Sequence, residues 1–330
     1  MPDSVHWRKK QIKAGKAKAG FGRWSRLRDR AFGTSRGPYT DEILNKIDEH
    51  HVQTVLAYWG TQPLPDIKAL KRARPDVRFS LNLLCHPVGL QARKVSFDNF
   101  TLSQGAKHLD SIISSGPAMT AYLQSHIKGL RDVPLFEFPP CWTEDFGPKE
   151  PLPVTRETPN VVFLGRMDWQ AGQSSDNVTP MLRELMDEGI DVHYARAPES
   201  TIEHAHAFPF DLVPLTEIAD FASPFDVSLI AYNVDTAKVQ DRFHVTDPDR
   251  LITSVAIGLP VAIPKRGFTG CREYLKDYEA VIEYESMVDL AHQLRDRERI
   301  TTLRGLARLK SQLYRAEDKL PRLLEFLAHS

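Results

Sequence analysis

The chain has 330 residues, 42% hydrophobic and 26% charged, with 43 Lys+Arg against 43 Asp+Glu. That length suits two domains with real cores, and the neutral balance gives no global bias towards nucleic acid. Cys85, Cys141 and Cys271 are spaced too widely for a disulfide framework or a zinc pattern, so a reducing, cytoplasmic setting is expected. No run approaches the roughly 20 apolar residues that span a bilayer, and the amino terminus lacks a signal-peptide apolar core.

Residues 1–36 form a basic arm with 11 Lys/Arg and only two acidic residues, Asp3 and Asp29. Trp7, Phe21, Trp24, Leu27 and Phe32 are scattered through it. A solvated arm is one reading. Contact with anionic lipid is another, since each basic residue near such a surface adds roughly 1 kcal/mol. Nucleic acid is the least favoured partner.

Residues 37–135 read as alternating helices and strands. Helix is expected over 41–51 and 66–73, strand over 51–59 and 78–84, and a polar lead-in over 102–108 before a strand at 109–113. Ser115-Gly116-Pro117 opens a helix over 118–126. This alternation predicts a first parallel sheet. Residues 136–158 are rich in proline, each fixing φ, and read as a stiff linker.

A second set follows over 159–296. Strands are expected at 160–164, 190–195, 213–216, 227–232, 260–264 and 280–284, and helices at 179–188, 217–222, 249–257 and 287–294, with another from Cys271. Asp247-Pro248-Asp249 reads as a helix start and Gly258 as its stop. Leu251, Ile252, Val255 and Ala256 share one helical face. Strand, polar loop, helix, strand is the parallel βαβ pattern, in which ligands sit beyond the carboxyl ends of the strands. Residues 299–327 are strongly helical and read as carboxyl-terminal helices over 297–330.

Over residues 250–261, Arg-Leu-Ile-Thr-Ser-Val-Ala-Ile-Gly-Leu-Pro-Val, the chain resembles the carboxyl-terminal domain of GT-B glycosyltransferases of the glycosyltransferase 4 type. The first half resembles them through LDSIISSGPAMTAYL and SLNLLCHPVGL. The resemblance implies an α/β chain of two Rossmann-like domains facing across a cleft, the first domain shortened. It implies transfer of a hexosyl-type sugar from a nucleotide-sugar donor to a glycan, lipid-linked or small-molecule acceptor, with no cofactor and no metal. Polysaccharide biosynthesis is the implied setting.

A leaving diphosphate needs cations and backbone N–H groups aimed at it. The resemblance puts Gly165-Arg166 at the donor phosphates, but the second family cation falls on Ala171. Arg250, at a helix start, and Lys265 and Arg266, after a strand, are further candidates on the same rim, as are Lys238 and Arg242. Each reads equally as a solvated cation. Gly267 and Gly270 bracket a loop similar to the family's donor loop, or an ordinary turn. Glu273 matches a family glutamate or is a surface residue. Thr253 stands where the family's ribose-binding Glu is found. His86 matches the family's His near the transferred sugar, against a buried, satisfied histidine. Glu203-His204-Ala205-His206 resembles a metal pair superficially, and Asp247-Pro248-Asp249 has Asp-x-Asp spacing, but capping is the simpler role. A non-catalytic GT-B-like binding or partner protein is the main alternative, and a nucleotide-sugar epimerase a third.

Overall fold

The structure, a computed structural model, describes residues 38–149, 155–165, 175–196, 202–234 and 241–329. The basic arm, Arg166, Ala171 and Lys238 lie outside them. The chain divides into two compact units, each with its own parallel sheet.

The first unit comprises Met1–Pro139, Gln240–Thr246 and Leu320–Ser330. Its described elements are α1 (Pro38–Glu49), β1 (Thr54–Tyr58), α2 (Leu64–Ala73), β2 (Arg78–Leu83), α3 (Ala92–Ala106), β3 (Ser111–Ser114), α4 (Pro117–His126) and β4 (Leu135–Glu137). The sheet order is β1-β2-β3-β4, every pair parallel. One face buries Ala57, Phe79, Leu81, Leu83 and Ile112 against α2, α3 and α4. Strand periodicity sends Thr54, Arg78 and Phe136 to the other face. There a terminal helix, Leu320–His329, is met by Thr54 Oγ1 on Leu327 O, Arg78 on Ala328 O (2.6 Å) and Phe136 stacked on Phe326.

The second unit comprises Pro140–Val239 and Asp247–Lys319. It contains β5 (Asn160–Phe163), α5 (Thr179–Asp187), β6 (Asp191–Ala195), β7 (Ala207–Phe210), α6 (Ile218–Ala222) and β8 (Val227–Leu229). Across the first unit's insertion, α7 (Asp241–Val245), the unit resumes with α8 (Asp249–Ile257), β9 (Val261–Pro264), α9 (Thr269–Tyr274), β10 (Val281–Tyr284), α10 (Met287–Leu294) and α11 (Arg297–Lys310). The terminal helix is α12. The sheet order is β10-β9-β8-β5-β6-β7, all parallel. Strands β5, β8 and β9 are buried at every residue, which is why they read as unbroken apolar runs rather than alternating ones.

Four expectations need correction. The strand placed at 213–216 is coil; β7 lies earlier, where Ala207–Phe210 pairs with β6 and Phe208 stacks on His193. Leu215, inside the expected strand, is exposed. The proline-rich segment at 136–158 begins inside a strand, because Leu135–Glu137 completes the first sheet beside β3. The lead-in at 102–108 is mostly the end of the fifteen-residue helix α3. The helical run at 299–327 is broken by a 3₁₀ turn, Ser311–Tyr314, and an extended Arg315.

Candidate functional site at the switch point of the second sheet

The strands of the second unit wind outward from β5 through β6 to β7, then return to the other side of β5 as β8. That reversal is a topological switch point, and the crevice beyond the carboxyl ends of β5 and β8 is where open α/β sheets bind ligands. The opposite ends of the two strands are tied together. Asn160 N donates to Asp226 Oδ2 (3.0 Å), Asp226 N donates to Asn160 Oδ1 (3.0 Å), and Arg297 Nη2 reaches the same Asp226 oxygen at 2.6 Å.

Arg250 occupies the crevice end. Pro248 has an extended conformation and caps α8, so Arg250 falls in its first turn. The Arg250 guanidinium stacks over Tyr232 (4.3 Å to the centroid) and Phe163 (4.8 Å), and its Nη1 donates to Ala231 O at 3.2 Å. Asp176 lies 3.9 Å from Nη2. The side chain is only 9% exposed. Gly165 is required here: a Cβ on it would lie 2.4 Å from Arg250 Nη1 and 2.6 Å from the Phe163 ring. Gly165 and Arg250, predicted separately, are therefore in contact. Ser254, one turn on, lies 2.6 Å from Ser228 Oγ and fixes α8 to β8, while Gly258 ends the helix at φ 78°. Tyr284 donates from its hydroxyl to Ile230 O (2.9 Å), and burial pushes that phenol far above its ordinary value.

The loop after β9 holds most of the other predicted residues. Gly267 (φ 71°) and Phe268 (φ 55°) are both left-handed, which a glycine accepts at no cost and Phe268 accepts because its ring is buried. That ring stacks near Tyr232, with centroids 5.9 Å apart. Arg272 closes the loop from below, donating to the carbonyls of Gly267 and Pro264 and pairing with Glu283 at 2.8 Å. Gly270 is buried in α9, and Glu273 is exposed on it. Lys265 is exposed and paired with Glu285 at 2.7 Å, and Arg266 beside it is exposed. Thr253 is half-buried on α8. Arg242 belongs to the first unit, with Nη1 on Val88 O at 3.5 Å.

In the first unit, His86 is fully buried. Its Nε2 is 2.9 Å from Asn99 Oδ1, and Asn99 Nδ2 donates to the Tyr122 hydroxyl at 2.9 Å. Asn99 Oδ1 accepts, so the ring carries its proton on Nε2. The buried Nδ1 has no hydrogen-bond partner. Burial outweighs Asn99 and nearby Asp98, and lowers the His86 pKa. The ring offers no open surface to a ligand.

His204 and His206 face Asp187 (3.3 Å) and Asp191 (2.8 Å) respectively. Among the described residues no group of His, Cys, Asp and Glu is arranged to hold a metal ion. The aromatic residues Phe163, Tyr232 and Phe268, and the loop clasp Arg272, escaped the sequence reading. Their only sequence signal is that Phe163 and Tyr232 lie in the apolar runs at 160–164 and 227–232, which does not reveal their common partner.

No protein-family profile matches the chain, and no curated protein matches it in sequence. Solved structures do match in fold. Sucrose-phosphate synthase from Thermosynechococcus elongatus superposes with a TM-score of 0.62 at 12% identity, over 87% of this chain and 76% of that one. HepE of Anabaena, solved with UDP and glucose, gives 0.62 at 10% identity over 98% and 89%. Trehalose 6-phosphate synthase from Burkholderia multivorans gives 0.61 at 9% identity over 94% and 78%. Identities this low establish fold alone, and the fold is that of the GT-B glycosyltransferases, with two Rossmann-like domains.

Proposed function

We propose that this chain is a glycosyltransferase that moves a sugar from a nucleotide-sugar donor to a carbohydrate or lipid-linked acceptor. The observation that carries the reading is Gly165 in contact with Arg250 at the β5/β8 switch point, on a fold shared with nucleotide-sugar enzymes. HepE was solved with UDP-glucose, which makes a uridine diphosphate sugar the first donor to test. The reaction is hexosyl transfer without a metal: cations and loop N–H groups would neutralise the departing diphosphate. Arg166 and Arg266 are the proposed phosphate cations. Arg250 supports them by fixing the strand ends, since its guanidinium already stacks on two rings and bonds to Ala231. Gly267, Gly270, Thr253, Lys265 and Glu273 would border the donor. His86 serves the acceptor half by ordering the 86–89 loop, whose Val88 and Gly89 N–H groups are capped by Asp98 at 3.0 and 2.9 Å. A cytoplasmic site of action in polysaccharide biosynthesis completes the proposal, with the basic arm as a peripheral membrane contact.

A second reading, binding without turnover, is favoured by Thr253 and Ala171 at the family's Glu and Lys positions and by the enclosure of His86. Titrating the protein with UDP and UDP-sugars while recording Tm, then following the sugar nucleotide by chromatography, separates the readings. A Tm rise with turnover, both lost in Arg166→Ala and Arg266→Ala, supports transfer. A rise without turnover on any tested acceptor supports binding alone. No binding at millimolar nucleotide overturns both transfer and nucleotide binding.

A further inference from the structure

The outer face of α3 has an inverted polarity. Arg93, Phe97, Phe100, Gln104 and Lys107 follow one another at i, i+4, i+7, i+11 and i+14, so they form a single stripe. All five are exposed, Phe97 at 56% and Phe100 at 61%. The inner face is closed: Leu102 and Ala106 are fully buried, and a Cβ on Gly105 would lie 2.7 Å from Leu64. The two phenylalanines therefore cannot turn inward. Lys94 is exposed beside Arg93. The only carboxylate on the helix, Asp98, is turned aside to accept from Val88 N and Gly89 N.

We propose that this face docks the first unit onto an anionic lipid bilayer, with α3 lying flat at the headgroup level. Two adjacent aromatic side chains between basic residues match such a surface, the rings entering the acyl boundary and the cations meeting lipid phosphates. Charge complementarity selects this occupant. Residues 37–330 carry 32 Lys+Arg against 41 Asp+Glu, so a stripe whose charged members, Arg93 and Lys107, are both basic runs against the character of the rest of the chain. The arm at 1–36, whose 11 Lys/Arg stand against two acidic residues, has the composition for a second attraction to anionic lipid. Two signals together are what stable peripheral anchoring requires.

The test is vesicle flotation of the full chain on phosphatidylcholine alone and on phosphatidylcholine with phosphatidylglycerol, with no sugar nucleotide present. Its outcome is thus independent of the transferase reading. The expected result is binding to the anionic vesicles only, weakened about tenfold or more in Phe97→Ser/Phe100→Ser at an unchanged Tm. Arg93→Gln/Lys94→Gln should weaken it too and flatten its salt dependence. Absence of vesicle binding, or equal binding by the phenylalanine variant, overturns the proposal. So does light scattering that shows a dimer dispersed by the same substitutions, since the face would then belong to a second copy.

Discussion

The guanidinium of Arg250 and the ring of Tyr232 lie 4.3 Å apart, and through this stack a helix start on α8 holds the carboxyl end of β8. The same cation reaches Phe163 on β5 at 4.8 Å. Arg250→Ala removes both stacks and the bond to Ala231, and should cost about 3 kcal/mol. Arg250→Lys keeps the charge but not the planar face, and should recover less than half of that loss. Urea unfolding of both variants checks the ranking; a lysine variant as stable as the parent would show that charge alone matters there.

Gly165→Ala should be destabilising by about 1–3 kcal/mol, because its Cβ meets Arg250 and Phe163 inside contact distance. The combination Gly165→Ala/Arg250→Ala should cost less than the sum of the single changes, since removing the guanidinium opens part of the space. Additive losses in a double-mutant cycle would contradict the clash.

At the amino ends of β5 and β8, Asp226 is fully buried and Arg297 is its cationic partner. Arg297→Ala leaves that carboxylate with only the Asn160 N–H at Oδ2 and should cost about 3 kcal/mol. Asp226→Asn in the Arg297→Ala background should regain much of it by removing the stranded charge. Chemical denaturation of the single and double variants measures both; a double variant no better than Arg297→Ala would refute the account.

His193 lies against Phe225 and Phe208, with ring centroids 4.5 and 4.9 Å away. Burial lowers its pKa to about 4, against an opposing pull from Asp191. The unfolded histidine titrates near its ordinary value of about 6.5. Above that pH both states are neutral and the stabilisation is intact. Below it the unfolded chain binds a proton that the native state refuses, so stability falls from about pH 6.5 towards pH 4, by on the order of 2 kcal/mol. His86 acts in the same direction. His193→Phe should reduce the loss between pH 7 and pH 4.5 in urea titrations. An unchanged pH slope would assign the acid sensitivity elsewhere.

The middle of the second sheet was legible because β5, β8 and β9 are buried on both faces and α8 ends on a clear stop. NVVF at β5 and VAIP at β9 read as strands without any neighbour, and Gly258 marked the end of α8 correctly. β4 was hidden because Leu135–Glu137 is three residues long and framed by prolines, so its strand character comes only from hydrogen bonding to β3. β7 was misplaced because Val213 and Leu215 alternate as a strand would, yet that segment pairs with no strand and Leu215 is exposed. At the site, Gly165, Arg250 and the 265–270 loop were named from the chain. What Arg250 does was not, since its three main partners lie 18, 19 and 87 positions away in sequence, at Tyr232, Ala231 and Phe163.

By itself the sequence determined the alternation of strands and helices, the buried parallel character of the second sheet and the glycines its turns require. Those follow from local sterics and from apolar periodicity, which act between near neighbours. Only the tertiary structure decided that β8 returns beside β5, that a cation there is held between two rings, and that His86 is sealed behind Asn99. Such facts depend on which distant segments exclude water together, and no local pattern encodes that choice.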